Sequence, residues 1–196
     1  MKLKVNGEDV DITLDNEKTV GDFLKSFESE ADKNQATTTK IKLNGKTIQA
    51  DDIDSILDIE LTEDTVIELD VVSKPTVIES FHNCASNFEE IDSKLPEISV
   101  LLQSGKDREA SDIINSLAVA MSDFVHVARM SALFPELYQQ ISIEGNNLQA
   151  FFEEFSPILK DFEQAMESKD SVTVGDLSEY EISPRLKNVI QALQTL

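Results

Sequence analysis

An α+β molecule in two unlike halves is what this sequence predicts, and three observations carry the prediction. The apolar period is two up to about Ser73 and helical beyond Pro75; the pairs Asn6-Gly7 and Asn44-Gly45 each sit between alternating runs; and four long helical-period stretches fill the remainder. The boundary falls between residues 1–74 and 75–196. Of 196 residues 40% are hydrophobic and 28% charged, with few Gly and Pro, a composition that folds around a core.

The first strand alternates Met1, Leu3 and Val5 with Lys2 and Lys4, and the second alternates Val10, Ile12 and Leu14 with Asp11 and Thr13. A two-residue type I′ turn at Asn6-Gly7 sets Leu3 opposite Val10 and Met1 opposite Ile12, which gathers the apolar residues on one face. Thr19 is the expected N-cap of a short helix, with Asp22 completing a capping box and Val20, Phe23, Leu24 and Phe27 forming its apolar stripe. A polar loop then leads into a second hairpin from Lys40 to Ile48, whose Asn44-Gly45 turn places Ile41 against Ile48. An acidic connector from Ala50 to Glu63 precedes a last strand in which Ile67, Leu69 and Val71 alternate with Glu68 and Asp70.

This order of hairpin, helix, hairpin, connector and strand, with the turn Leu43-Asn44-Gly45-Lys46-Thr47-Ile48 followed by Thr65 to Val72, resembles the ubiquitin-like β-grasp family over nearly the whole N-terminal half. The resemblance implies a small interaction module. Conjugated members end this domain in a flexible tail closing with two glycines, whereas here Val72-Ser73-Lys74-Pro75 runs straight into helical sequence, so neither covalent attachment nor sulfur carriage is expected.

Beyond it an antiparallel bundle of about four helices is expected, because short connections make successive helices antiparallel. The first spans about 76–104, with a kink at Pro96 and Gly105 as C-cap; the second spans about 107–134. The third spans about 136–167 with an interruption at Gly145-Asn146-Asn147, and the fourth runs from near Ser171 to the C-terminus with a bend at Pro184. Within it, Asp176 to Leu186 resembles a stretch of uncharacterised bacterial helical proteins.

Charge narrows the function. Seventeen Lys and Arg against 38 Asp and Glu leave a net charge of −21, of which −9 lies up to Pro75 and −12 beyond it. Binding phosphates needs clustered positive charge, so nucleic acid is excluded as a partner. One Cys permits no internal disulfide and fits a reducing compartment. The longest apolar run, Leu117 to Met121, is too short for a bilayer, so a soluble cytoplasmic protein without membrane association is expected.

Three constellations bear on chemistry. Glu79-x-x-His82 and Asp123-x-x-His126 have the acidic-x-x-His spacing of di-iron carboxylate bundles. Helical geometry turns them away from the apolar faces, with Glu79 roughly 140° and His82 roughly 80° off. They define a metal-dependent enzyme as the alternative reading. His82 and Cys84 point apart on one helix and cannot act as base and nucleophile. Asp51, Asp52, Asp54 and Asp58 lack the Gly and the terminal Glu of an EF-hand and read as a solvated connector. Phosphate-binding, dinucleotide and serine-hydrolase motifs are absent. No catalytic residue and no cofactor is expected.

The third helix carries more apolar surface than one neighbour covers. Leu148, Phe152, Phe155, Leu159 and Phe162 form one stripe, and Phe151 and Ile158 widen it. With Glu153, Glu154 and Asp161 as rim, Phe151, Phe155 and Ile158 read as either bundle core, a docking face for an apolar or amphipathic helix, or a homodimer face. Tyr180, in an acidic turn before Pro184, is a second candidate epitope. The expectation is a non-enzymatic adaptor or holding chaperone, monomeric or homodimeric, whose protein partner is basic or an amphipathic helix.

Overall fold

Both Asn-Gly turns close as the sequence requires. In the computed structural model, which describes all of residues 1–196, Asn6 and Gly7 take φ of 52° and 86° and Asn44 and Gly45 take 50° and 80°. These are the positive values of type I′ turns, joining β1 (Lys2–Val5) to β2 (Glu8–Val10) and β3 (Ala36–Leu43) to β4 (Lys46–Ile48). The registers Leu3↔Val10 and Ile41↔Ile48 are the predicted ones. The chain divides into two units, Met1–Thr76 and Val77–Leu196.

In the first unit five strands form one sheet in the order β2-β1-β5-β3-β4, with β5 (Val66–Ser73) in the centre, parallel to β1 and antiparallel to β3. Helix α1 (Val20–Lys33) places Val20, Phe23 and Leu24 in one apolar cluster with Leu3, Leu43, Ile56, Ile67 and Leu69 of and around the sheet. The Thr19 hydroxyl accepts from the Asp22 N–H at 3.1 Å, and the Asp22 carboxylate accepts from the Lys18 and Thr19 N–H groups at the same distance. That is the predicted capping box, and these two backbone donors hold the Asp22 carboxyl below its usual range.

The turn asparagines do a second task. Asn6 accepts from the Val71 N–H at 2.7 Å and donates to the Val71 carbonyl at 3.1 Å, while Asn44 accepts from the Val66 N–H at 2.9 Å. Each hairpin turn is thereby sewn to β5.

Three expectations for this unit change. β2 ends at Val10, not Leu14: the ladder stops at Leu3↔Val10, the expected Met1–Ile12 pair does not form, and both residues pack against the apolar core instead. β3 begins at Ala36 rather than Lys40: the β-branched run Thr37-Thr38-Thr39 pairs with β5 through a bulge, and its uniform polarity hides the alternation that marks a strand. The acidic connector contains a 3₁₀ helix at Ala50–Ser55.

The second unit is not a bundle of four helices. Seven α-helices begin after β5: α2 (Lys74–Lys94), α3 (Glu97–Gln103), α4 (Asp107–Ser131), α5 (Pro135–Gln140), α6 (Leu148–Glu167), α7 (Ser171–Asp176) and α8 (Ser183–Gln194). The extra breaks have local causes. Pro96 separates α2 from α3 rather than kinking one helix, since proline has no N–H to continue the ladder. Glu144 and Gly145, at φ of 51° and 81°, close a small hairpin between β6 (Ser142–Ile143) and β7 (Asn146–Asn147), and the Asn147 side chain then caps α6. A π-helical segment, Leu177–Ile182, follows α7, and Pro184 lies in the first turn of α8, where proline is favourable.

Phenylalanines hold this unit together. Phe124 of α4 lies within 6.4 Å, ring centre to ring centre, of Phe81 and Phe88 of α2 and of Phe151 and Phe152 of α6. Phe81, Phe88 and Phe124 are fully buried. No helix is long and apolar enough to cross a membrane.

Candidate functional site

Helix α6 presents its apolar stripe to more than one neighbour. Phe151 and Phe155 are buried, 5% and 1% exposed, so the reading of these two as an exposed partner or dimer face is corrected to core, although Phe155 also borders the groove described next. Their rings sit 5.4 Å apart, and Phe151 reaches Phe124. Ile158 stays half-buried, as expected of surplus apolar surface, and so do Phe152 and Leu159.

Phe152 and Leu159 face α4 across a groove of about 850 Å³. On the α4 side, Ala118, Ala128 and Ala132 are small and Met121 and Val125 are apolar, so the groove opens where their short side chains leave space. Tyr138 and Leu148 complete one end, and Ser122, His126, Arg129, Gln149 and Ser156 supply its polar atoms. The lining holds no Asp or Glu.

The remaining predicted residues are elsewhere. Glu154 accepts from Arg185 at 3.1 Å, and Arg185 also bonds the carboxylate and the carbonyl of Glu181, at 2.7 and 3.0 Å. This pins the π-helical segment to α6. Asp161 is exposed and Ile158 half-buried, and neither they nor Glu154 border the groove, so the expected acidic rim is not there. Tyr180 stands out from the π-helical segment, 64% exposed, and the adjacent Glu179 charge, with a side-chain hydrogen bond to it, raises its hydroxyl's pKa.

Glu79, His82, Asp123 and His126 are all exposed, and no three His, Cys, Asp or Glu side chains converge at any point of the molecule. The four therefore do not assemble a metal centre. Cys84 is buried at 4% exposure; burial first, and the Asp123 charge second, push its thiol up to about 11. A thiol in that state is a poor nucleophile at neutral pH.

Arg129, Val125 and Tyr138 were not singled out from sequence. The available signal was the run Ala118, Met121, Val125, Ala128, Ala132, which widens the apolar face of α4 while its three alanines are too small to fill space.

Comparison with known proteins adds family relationships without an activity. Residues 1–73 match a family described as the TP0873 N-terminal domain, and residues 77–192 match one described as a domain of unknown function (DUF8042). An uncharacterized protein of Treponema pallidum (strain Nichols) is 27% identical over 189 residues, covering 96% of this chain and 94% of that protein. No solved structure matches.

Proposed function

The chain belongs to the DUF8042 family, and from that premise we propose a non-enzymatic interaction protein, an adaptor or holding chaperone of the cytoplasm, whose α4–α6 groove receives an amphipathic helix of a partner protein. The carrying observation is the groove itself: Phe152, Leu159 and Val125 stay half-exposed along two helices, the arrangement in which a third helix lays its apolar face. The net charge of −21 supplies a long-range field that speeds encounter with any basic surface of that partner.

For the first unit we read a ubiquitin-like β-grasp module. Its support is the strand order β2-β1-β5-β3-β4 with a parallel central pair and a single helix between the two hairpins. The buried thiol and the lack of any second Cys support a reducing location.

A photoreactive residue in place of Leu159, in cells of the source organism, tests the groove. Discrete protein adducts are expected there, absent when the same residue replaces the 65% exposed Val172 and diminished by Phe152→Asp. Identical adducts at both positions, or none at Leu159, would remove this reading.

A further inference from the structure

The groove differs from the rest of the surface in charge. Three other concavities each carry at least two carboxylates beside a single lysine: Glu90 and Asp123 with Lys94, Glu89 and Asp92 with Lys187, and Asp22, Glu28 and Asp58 with Lys25. The α4–α6 groove is larger than any of these and contains none, although 38 of the 196 residues are acidic. In their place it has Arg129, with exposed His126 one turn earlier on α4.

Arg129 is exposed and makes no ion pair, whereas Arg185 pairs with two carboxylates. Its position in the last turn of α4 suits a cation, because the helix dipole is negative there, and leaves the guanidinium fork directed to no protein acid. A planar guanidinium beside apolar surface matches a carboxylate flanking an apolar stripe, which it can bind through two parallel N–H donors.

Resting on the groove reading above, we propose that the occupant is an amphipathic partner helix whose apolar stripe is flanked by Asp or Glu, with a carboxylate seated on Arg129. Contact chemistry at the groove is thus opposite in sign to the far field of the molecule. From Ala118 to Ala132 the α4 wall rises about 21 Å, room for a helix of about four turns.

Two peptides of 18 residues test the proposal. They share one apolar stripe with i, i+3, i+4, i+7 spacing and a single Trp, and differ only in flanking Glu or flanking Lys. The chain contains no Trp, so emission excited at the red edge reports the peptide alone. At about 0.5 M salt the Debye length falls to about 4 Å, which suppresses the far field and leaves contact pairs. Under those conditions the Glu-flanked peptide is expected to bind about two- to fivefold tighter, the range of one exposed ion pair. Arg129→Gln should abolish the difference by weakening the Glu-flanked peptide, with no loss of affinity for the Lys-flanked one.

Equal or tighter binding of the Lys-flanked peptide, or an Arg129→Gln loss shared by both, would overturn the acidic-flank proposal while keeping the groove. If neither Phe152→Asp nor Leu159→Asp weakens either peptide, with both variants retaining the native circular dichroism spectrum, the groove is not the docking site and the underlying reading fails as well. Two variants at different positions guard against Phe152→Asp failing to fold, since Phe152 also packs on Phe124.

Discussion

The Thr19–Asp22 box shows how a few hydrogen bonds fix a helix end. Thr19→Ala removes the acceptor for the Asp22 N–H and should cost about 0.5–2 kcal/mol, readable by urea denaturation of the native chain and the variant. Asp22 adds a pH dependence of definite sign. Its folded pKa is depressed by the Lys18 and Thr19 donors, so its contribution is fully present above the unfolded carboxylate range and is lost as pH falls through the lower folded value. Asp22→Ala should therefore flatten the acid limb of the stability profile and leave the slope at neutral pH unchanged, as unfolding midpoints measured between about pH 2 and 7 will show. An unaltered acid limb in that variant would mean the box carries no proton linkage. Both residues were legible in sequence because capping is a local pattern. Arg129 was not, since an isolated cation on an acidic chain has no motif and acquires meaning only from the unpaired surface around it.

At the scale of elements, breaks were harder to read than helices. The stretch 107–134 was predicted almost to its ends as α4, because its apolar period runs unbroken to the turn. The 136–167 stretch hid a β6–β7 hairpin in which two positive-φ residues, Glu144 and Gly145, reverse the chain within four residues, too few to disturb a periodicity count. The same periodicity shows the apolar surplus of α6 without showing which of Phe151, Phe152, Ile158 and Leu159 carries it. A helical wheel shows how wide a stripe is; only the neighbours decide which edge of it remains uncovered, and here they cover Phe151 and Phe155 and leave Phe152 and Leu159. Phe124 is what ties α2, α4 and α6 to one another, touching four rings. Phe124→Ala should destabilise the helical unit by about 3–5 kcal/mol, while an exposed truncation such as Val119→Ala should stay within about 0.5 kcal/mol; calorimetric melting of the two variants compares them directly.

Across the whole molecule, like charges dominate. Nine ion pairs are present, most between exposed partners, so salt removes little by screening them, whereas it relieves the self-repulsion of a net charge of −21. Raising NaCl from about 0.05 to 0.5 M should lift the melting temperature by a few degrees, the shift that about 1 kcal/mol produces in a chain of this length. A fall in melting temperature over that range would show that the pairs outweigh the repulsion. The placement of β5 has a consequence in time as well. It is the last strand of its sheet to be synthesised, yet β1 and β3 meet only through it, and both turn asparagines bond to it. Until Ser73 has left the ribosome, the nascent chain holds two isolated hairpins, each marginal in water, with their inner edges open. The sheet therefore closes late and all at once, and the edges awaiting β5 are where a stalled or truncated chain is most exposed to pairing with another copy.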